Sequence, residues 1–275
     1  MSRTLKLLIS YDGTDLAGWQ RQAATPTVQA AIEDALAPIE GSPVVITGAG
    51  RTDAGVHAAG QVASVSLSAS IAVGDLRRAL NATLPESIRI LDVAEVRADF
   101  NARFDAHSKT YHYWIYCADI MPPAFGRFAW HVPQRLDVDR MNAAAAMLVG
   151  THDFAGFQAT GSDVKSTIRE VMLSRVIKLR RSEGAEDGWW RFETSRLTSL
   201  SDRPPEAFDS PYVSYHITGT GFLRHMVRNI VGTLVDIGRG RRPPEDIATI
   251  LASRDRSQAG ATAPPHGLWL WQVDY

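Results

Sequence analysis

The segment Gly48-Ala49-Gly50-Arg51-Thr52-Asp53-Ala54-Gly55-Val56-His57-Ala58 is the part of this chain best suited to chemistry. It sets one carboxylate and one guanidinium two residues apart among small residues and glycines. Such a stretch contributes little to a core. Its backbone can approach a ligand closely while presenting Arg51 and Asp53. Asp53 has two readings: a turn aspartate that accepts from nearby backbone N–H groups, or a nucleophile or base held in a cleft. In the second role the ionised form needs a cation beside it. Arg51 is the local candidate. Arg224 and Arg228, four apart in a helical stretch, project from one side of it and are the distant ones.

Other chemistries fail on spacing. Gly48-x-Gly50 needs glycine at position 53 to cradle a pyrophosphate, and Asp53 stands there. Gly219-Thr220-Gly221 fails in the same way at Arg224, and no glycine run leads into Lys-Ser or Lys-Thr. The eight histidines are scattered, so zinc ligation has no pattern to rest on, and His57 reads as a packing residue. The stretch Ser10-Tyr11-Asp12-Gly13-Thr14 resembles the acidic motif of aspartate-nucleophile phosphatases. The attacking position is Ser10, which lacks the carboxylate, so Asp12 reads as a turn residue. An aromatic strand lies at residues 110–116. Tyr111, Tyr113 and Ile115 share one face and His112, Trp114 and Tyr116 the other. Such strands fill cores, and an accessible ring on one can stack a nucleic-acid base.

The elements that must position these residues follow from periodicity. The chain has 275 residues, 45% hydrophobic and 21% charged, which suits one large or two ordinary globular domains. No apolar run is long enough to span a bilayer. Cys117 is the single cysteine, so no internal disulfide forms and cytoplasmic residence is expected. The net charge of -1 does not announce a nucleic-acid partner, although Arg77-Arg78, Arg180-Arg181 and Arg239-Gly240-Arg241-Arg242 form basic clusters. In the first half, strands are predicted at 5–9, 44–47, 61–67 and 88–96. One helix runs from an N-cap at Thr27 to Gly41, and a second carries Leu76, Ala79 and Leu80. The order β-α-β-β-α-β is the ferredoxin-like split unit. The second half nearly repeats it, with strands at 110–116, 171–179, 189–194, 212–218 and 268–273. Its helices are one carrying Val138 and Met141, a long one over 222–237, and a short one after Pro243-Pro244. The expected fold class is α+β, as two such halves. The domains are 1–105 and 106–275.

The motifs also match a family. Gly50-Arg51-Thr52-Asp53-Ala54-Gly55-Val56-His57-Ala58 resembles the signature of the bacterial tRNA pseudouridine synthase A family. Similar in order and spacing are Tyr11-Asp12-Gly13-Thr14 with Gly18-Trp19-Gln20-Arg21-Gln22, and Phe100-Asn101-Ala102-Arg103-Phe104 with Lys109-Thr110-Tyr111. Gly150-Thr151-His152-Asp153-Phe154, Met226-Val227-Arg228-Asn229-Ile230-Val231-Gly232, Gly267-Leu268 and Val273-Asp274-Tyr275 complete the set across the chain. The resemblance implies an isomerase that converts uridine to pseudouridine in the tRNA anticodon stem-loop, at tRNA positions 38, 39 and 40. It implies no cofactor, no metal and a homodimer. The two halves would join their sheets into one largely antiparallel sheet flanked by helices, with the catalytic cleft between them. By resemblance Asp53 is the catalytic aspartate, Tyr111 stacks on the target uracil, Arg228 pairs with the aspartate, Arg51 helps to flip the base and Leu268 lines the pocket.

The chemistry needs no energy source, because the bonds broken and made are balanced. A glycoside hydrolase would show a second carboxylate to handle water, and none stands beside Asp53 in the sequence. Residues 182–210 depart from the family pattern as a long polar connection containing Trp189-Trp190. Two other readings stay open from sequence: a non-catalytic tRNA-binding module on the same fold, and a phosphate-handling enzyme built on Asp12.

Overall fold

The computed structural model describes residues 2–159, 161, 164–180 and 209–275. Its first strand, β1 (Arg3–Tyr11), puts Leu5, Leu7 and Ile9 on one fully buried face. Helix α1 (Val28–Glu40) starts where the Thr27 side chain accepts from the Ala30 N–H. It stops at Gly41, whose φ of 77° lies in the left-handed region that glycine adopts without strain. The first half continues with β2 (Thr47–Gly48), β3 (His57–Leu67), α2 (Val73–Thr83) and β4 (Ile88–Val96). The second half contains β5 (Ser108–Tyr116), β6 (Trp130–His131), α3 (Val138–Ala146), β7 (Gly150–Asp153) and β8 (Ile168–Arg180). It ends with β9 (Asp209–Gly219), α4 (Met226–Gly238), α5 (Asp246–Ser253) and β10 (Leu268–Asp274).

Among the described residues all ten strands belong to one sheet, with the main order β4-β1-β3-β10-β5-β9-β8-β7. The first half reads β4-β1-β3 with β2 outside on β3, and the second reads β10-β5-β9-β8. Numbering the four strands of each βαββαβ unit along the chain gives the same order, 4-1-3-2, in both. The fold is therefore α+β, with two ferredoxin-like halves in one mostly antiparallel sheet. β10 is the joint. It pairs antiparallel with β5, setting Leu268 opposite Tyr113 and Leu270 opposite Tyr111. It also pairs parallel with the start of β3, through Trp269 with His57 and Leu270 with Ala58. The far end of β3 is taken by β2, at Ser64 and Ala63. The connection between β2 and β3 thus leaves the sheet where β10 enters it.

One large cluster ties the helices to the sheet. Leu76 and Leu80 of α2, Met141 of α3, and Ile230 and Leu234 of α4 belong to it with Leu5, Leu7, Tyr111, Tyr113 and Leu270. The opposite side of the second half carries Trp114 and Tyr116 with Trp269 and Trp271. Here the rings of His112, His216 and Trp271 stack, with centroids 3.7 and 4.4 Å from His112.

Several boundaries differ from the sequence reading. The strand expected at 44–47 shortens to Thr47–Gly48, because the preceding Val45 is exposed and only two residues pair with β3. The strand expected from Gln61 begins at His57, since β10 supplies a partner there that no local pattern reveals. The long helix starts at Met226 rather than Phe222. His225 has φ 59°, and the Met226 N–H closes a turn on Leu223 O instead of extending the helix backwards. The strand expected at 189–194 lies outside the described residues, as does nearly all of the 182–210 connection.

Candidate active site

The loop between β2 and β3 is held by close backbone contact with the segment after β1. Trp19 N–H donates to Thr52 O at 3.1 Å, and Gly55 N–H to Leu16 O at 3.3 Å. The Tyr11 phenol and the Thr52 hydroxyl share a buried hydrogen bond of 2.8 Å. Glycine is required at two points. A Cβ at Gly13 would sit 2.1 Å from Val56 O, and one at Gly18, where φ is 94°, would sit 2.5 Å from Thr52 O. From the sheet side, Gln61 donates to Gly50 O at 2.9 Å. The glycine-rich sequence thus builds a fixed shelf.

Asp53 stands on that shelf with its side chain 33% exposed. Arg228, in the first turn of α4, places Nη1 3.3 Å from Asp53 Oδ2 and keeps only 13% exposure. Its Nε donates to Ala263 O at 2.8 Å, and Ala263 N–H returns a bond to Arg228 O at 3.1 Å. The guanidinium is thereby aimed before any ligand arrives. His225, the N-cap of α4, brings Nε2 to 3.4 Å from the same Oδ2. The carboxylate faces the positive end of a helix whose other residues are almost all buried. Among the described residues Asp53 Oδ1 has no hydrogen-bond partner. Burial holds the His225 imidazole below its ordinary range against the pull of Asp53, and Arg228, Arg224 and Arg256 push the same way. At neutral pH the ring is uncharged, and Arg228 is the formal counter-ion.

Tyr111 lies on β5 with 7% exposure and meets Phe222 edge-on, at 5.1 Å and 81°. Burial first, then the Tyr11 phenol and the Asp53 carboxylate, raise its phenol well above the ordinary range, so it stays protonated. Opposite Tyr113, two residues from Tyr111 on β5, Leu268 is buried at the start of β10. The turn just before this strand touches three parts of the site. Ala263 O holds Arg228, Pro264 O accepts from the Tyr113 hydroxyl at 2.8 Å, and Pro265 packs where a Cβ on Gly55 would lie 3.0 Å away.

Arg51 and Arg224 are exposed, and among the described residues neither forms an ion pair. Of the cations weighed from sequence, Arg228 is thus the one that meets Asp53. His225 was missed. It gives no signal in the sequence, because it stands outside the helix as a left-handed N-cap. The expected packing role of His57 holds. It is fully buried, accepts from Gly13 N–H at Nδ1, contacts Arg127 O through Nε2 and stacks on Trp269 at 4.5 Å. Burial keeps its ring below the ordinary range, so its 3.2 Å approach to Asp12 is not a charged pair. Asp12 forms the expected Asx turn, accepting from Thr14 N–H at 3.0 Å. No group of three or more His, Cys, Asp or Glu among the described residues is placed to ligate a metal.

Comparison with known proteins settles the family. A family model described as tRNA pseudouridine synthase matches residues 7–105 and 144–275. The chain is 44% identical over 279 residues to tRNA pseudouridine synthase A of Nitratidesulfovibrio vulgaris, covering 98% of this chain and 99% of that protein. The protein of the same name from Syntrophotalea carbinolica is 40% identical over 271 residues, covering 98% and 96%. This chain belongs to the tRNA pseudouridine synthase family. The tRNA pseudouridine synthase match takes in Arg51, Asp53, Arg228 and Leu268, while Tyr111 falls between its two matched stretches. The tRNA pseudouridine synthase A of Moorella thermoacetica is similar over the same extent, 42% identical and covering 98% of this chain. Among the described residues of this family member, no helix is long and apolar enough to cross a membrane.

Proposed function

We propose that the protein isomerises uridine to pseudouridine in the anticodon stem-loop of tRNA, at positions 38, 39 and 40, as a cytoplasmic homodimer without a cofactor. Family membership supports the reaction class. The observation that carries the site is the carboxylate of Asp53, from the first half, held by Arg228, from the second. The cleft then lies between the domains 1–105 and 106–275, on either side of the joint made by β10.

In the reaction the N1–C1′ bond of the uridine breaks, the uracil turns, and a C5–C1′ bond forms. The C5 proton leaves and N1 ends protonated, so atoms and charge balance. Asp53 is the nucleophile. Arg228 and His225 engage Oδ2, which leaves Oδ1 to attack C1′ or C6. The target base must first leave its stack, at a cost of a few kcal/mol. Stacking on Tyr111 offsets part of this, at about 1–3 kcal/mol per base. The protonated phenol gives that ring a neutral face against the uracil. Arg51, exposed at the mouth, fits the task of displacing the base, and Leu268 supplies an apolar wall that keeps water from the glycosidic bond.

The test is tritium release from tRNA carrying 5-tritiated uridine. Release at positions 38 to 40 is expected. Binding of the same tRNA with no release would instead establish a non-catalytic tRNA-binding module.

A further inference from the structure

Lys109 is a buried cation with no counter-ion among the described residues. Its residue exposure is 9%, and among the described residues it forms no hydrogen bond or ion pair through its ammonium. Among the described residues four side-chain atoms are sealed from solvent and lack partners: Arg3 Nε, His112 Nδ1, Arg175 Nε and Arg239 Nε. Lys109 Nζ is not one of them, so the ammonium keeps a contact with solvent. Its stem runs beneath the Asp53 loop, with Cε 3.4 Å and Cδ 3.6 Å from where a Cβ on Gly50 would stand. Burial pushes the ammonium below its ordinary range, and the Arg103 cation pushes the same way. Arg103 and Arg51 have no carboxylate partner among the described residues either.

An ammonium whose stem lies under a loop, beside a like charge and with no acid, costs folding free energy. A packing role alone does not need the charge, since a methionine fills the same space. The arrangement is repaid when an anion arrives. Position says which anion. Lys109 precedes Tyr111 by two on β5, on the same strand face and about 6.6 Å along it. Gly50 lies three residues before Asp53 on the shelf. The two elements that carry the carboxylate and the stacking ring therefore also enclose this cation.

We propose that Lys109, with Arg103 and Arg51 at its rim, binds a backbone phosphate next to the uridine that reacts. The proposal rests on the RNA-modifying reading above and adds a binding residue to it.

Two measurements test it with a synthetic anticodon stem-loop RNA. Lys109→Met keeps the stem and removes the charge, and Lys109→Arg keeps the charge. For Lys109→Met, the Kd for the RNA is expected to rise at least about tenfold. The slope of log K against log salt should fall by about 0.7–0.9, as for one lost phosphate contact. Lys109→Arg should restore the slope. A folded Lys109→Met protein with an unchanged slope overturns the proposal. The second measurement needs no variant. Methylphosphonates replace, one at a time, the phosphates flanking each target uridine. One neutral linkage should weaken binding to the wild-type protein and leave Lys109→Met unaffected. If none weakens wild-type binding, the proposal is wrong, even where Lys109→Met fails to fold. Tritium release by the wild-type protein on the unmodified RNA is read in the same experiment. Its loss would count against the reaction, whereas its persistence with an unchanged salt slope would count against Lys109 alone.

Discussion

Helices α2 and α4 fill the same place in the two halves, between the third and fourth strands of a βαββαβ unit. They are used in opposite ways. α2 buries two of its eleven residues, Leu76 and Leu80, and lies on the surface with Arg77 and Arg78 exposed. α4 buries eleven of its thirteen, and its first turn ends against a loop of the other half. The same topology thus gives one helix that only covers the sheet and one that delivers charge across it. What separates them is depth. A helix wrapped on all sides cannot shift or fray, so a guanidinium at its N-terminus is held in place by the whole core. A half-exposed helix offers no such fixity, and nothing reactive is mounted on it.

The comparison can be broken in order of expected effect. Asp53→Asn should lower tritium release at least about 10³-fold while the Kd for tRNA stays within a few-fold, because only the reacting charge is removed. Arg228→Met should lower release about 10²-fold, while Arg77→Ala at the equivalent helix should leave it unchanged. Equal losses from the two arginines would erase the distinction between the helices. Stability offers a second contrast. Gly232→Ala in α4 would push a Cβ to 1.7 Å from Ala261 O and should cost about 3 kcal/mol in denaturant unfolding. Gly74→Ala in α2 meets nothing within 4 Å and should stabilise by about 0.5–1 kcal/mol.

Acid gives a finer probe of the same asymmetry. Burial holds His112 at about 3 and His216 at about 4, both well below the ordinary imidazole value. Their folded-state values are depressed, so stability is complete above about pH 6.5 and falls as the pH drops toward 4 and then 3. Hydrogen exchange followed by segment should show β5 and β9 losing protection before β1 and β4. Loss in the reverse order would mean that the stacked rings do not govern the second half. The smallest effect belongs to Arg78→Ala, which should change stability by less than about 0.5 kcal/mol, since its partner Asp75 is an exposed neighbour on the same helix.

Much of this was legible in the sequence where the cause is local. α1 is bounded by Thr27 and Gly41 because capping is decided within four residues. The repeat of the β-α-β-β-α-β order could be read from alternating periods alone. The start of β3 could not, because its partner β10 lies some two hundred residues away and pairing across that distance leaves no local mark. The start of the long helix is hidden for a related reason. Phe222 and Leu223 carry an apolar pattern, but they pack as a turn that His225 ends in the left-handed region. At the candidate site Asp53 was visible as an isolated carboxylate among glycines. The sequence alone offers three arginines as its cation, and only the packing of α4 separates Arg228 from Arg51 and Arg224. His225 and Lys109 stay hidden, because a lone histidine or lysine carries no signal until its burial and neighbours are known.

The position of β10 has a consequence for synthesis. Among the described residues it comes after the other nine strands in order, yet it occupies the middle of the sheet and is the strand that bridges β3 to β5. A chain emerging from the ribosome holds every other strand of both halves before that bridge exists. Until then the start of β3 lacks its β10 partner, and the turn before β10 that anchors Arg228 is not yet fixed by the sheet. The candidate site therefore comes into being in one late step, when β10 slots between β3 and β5.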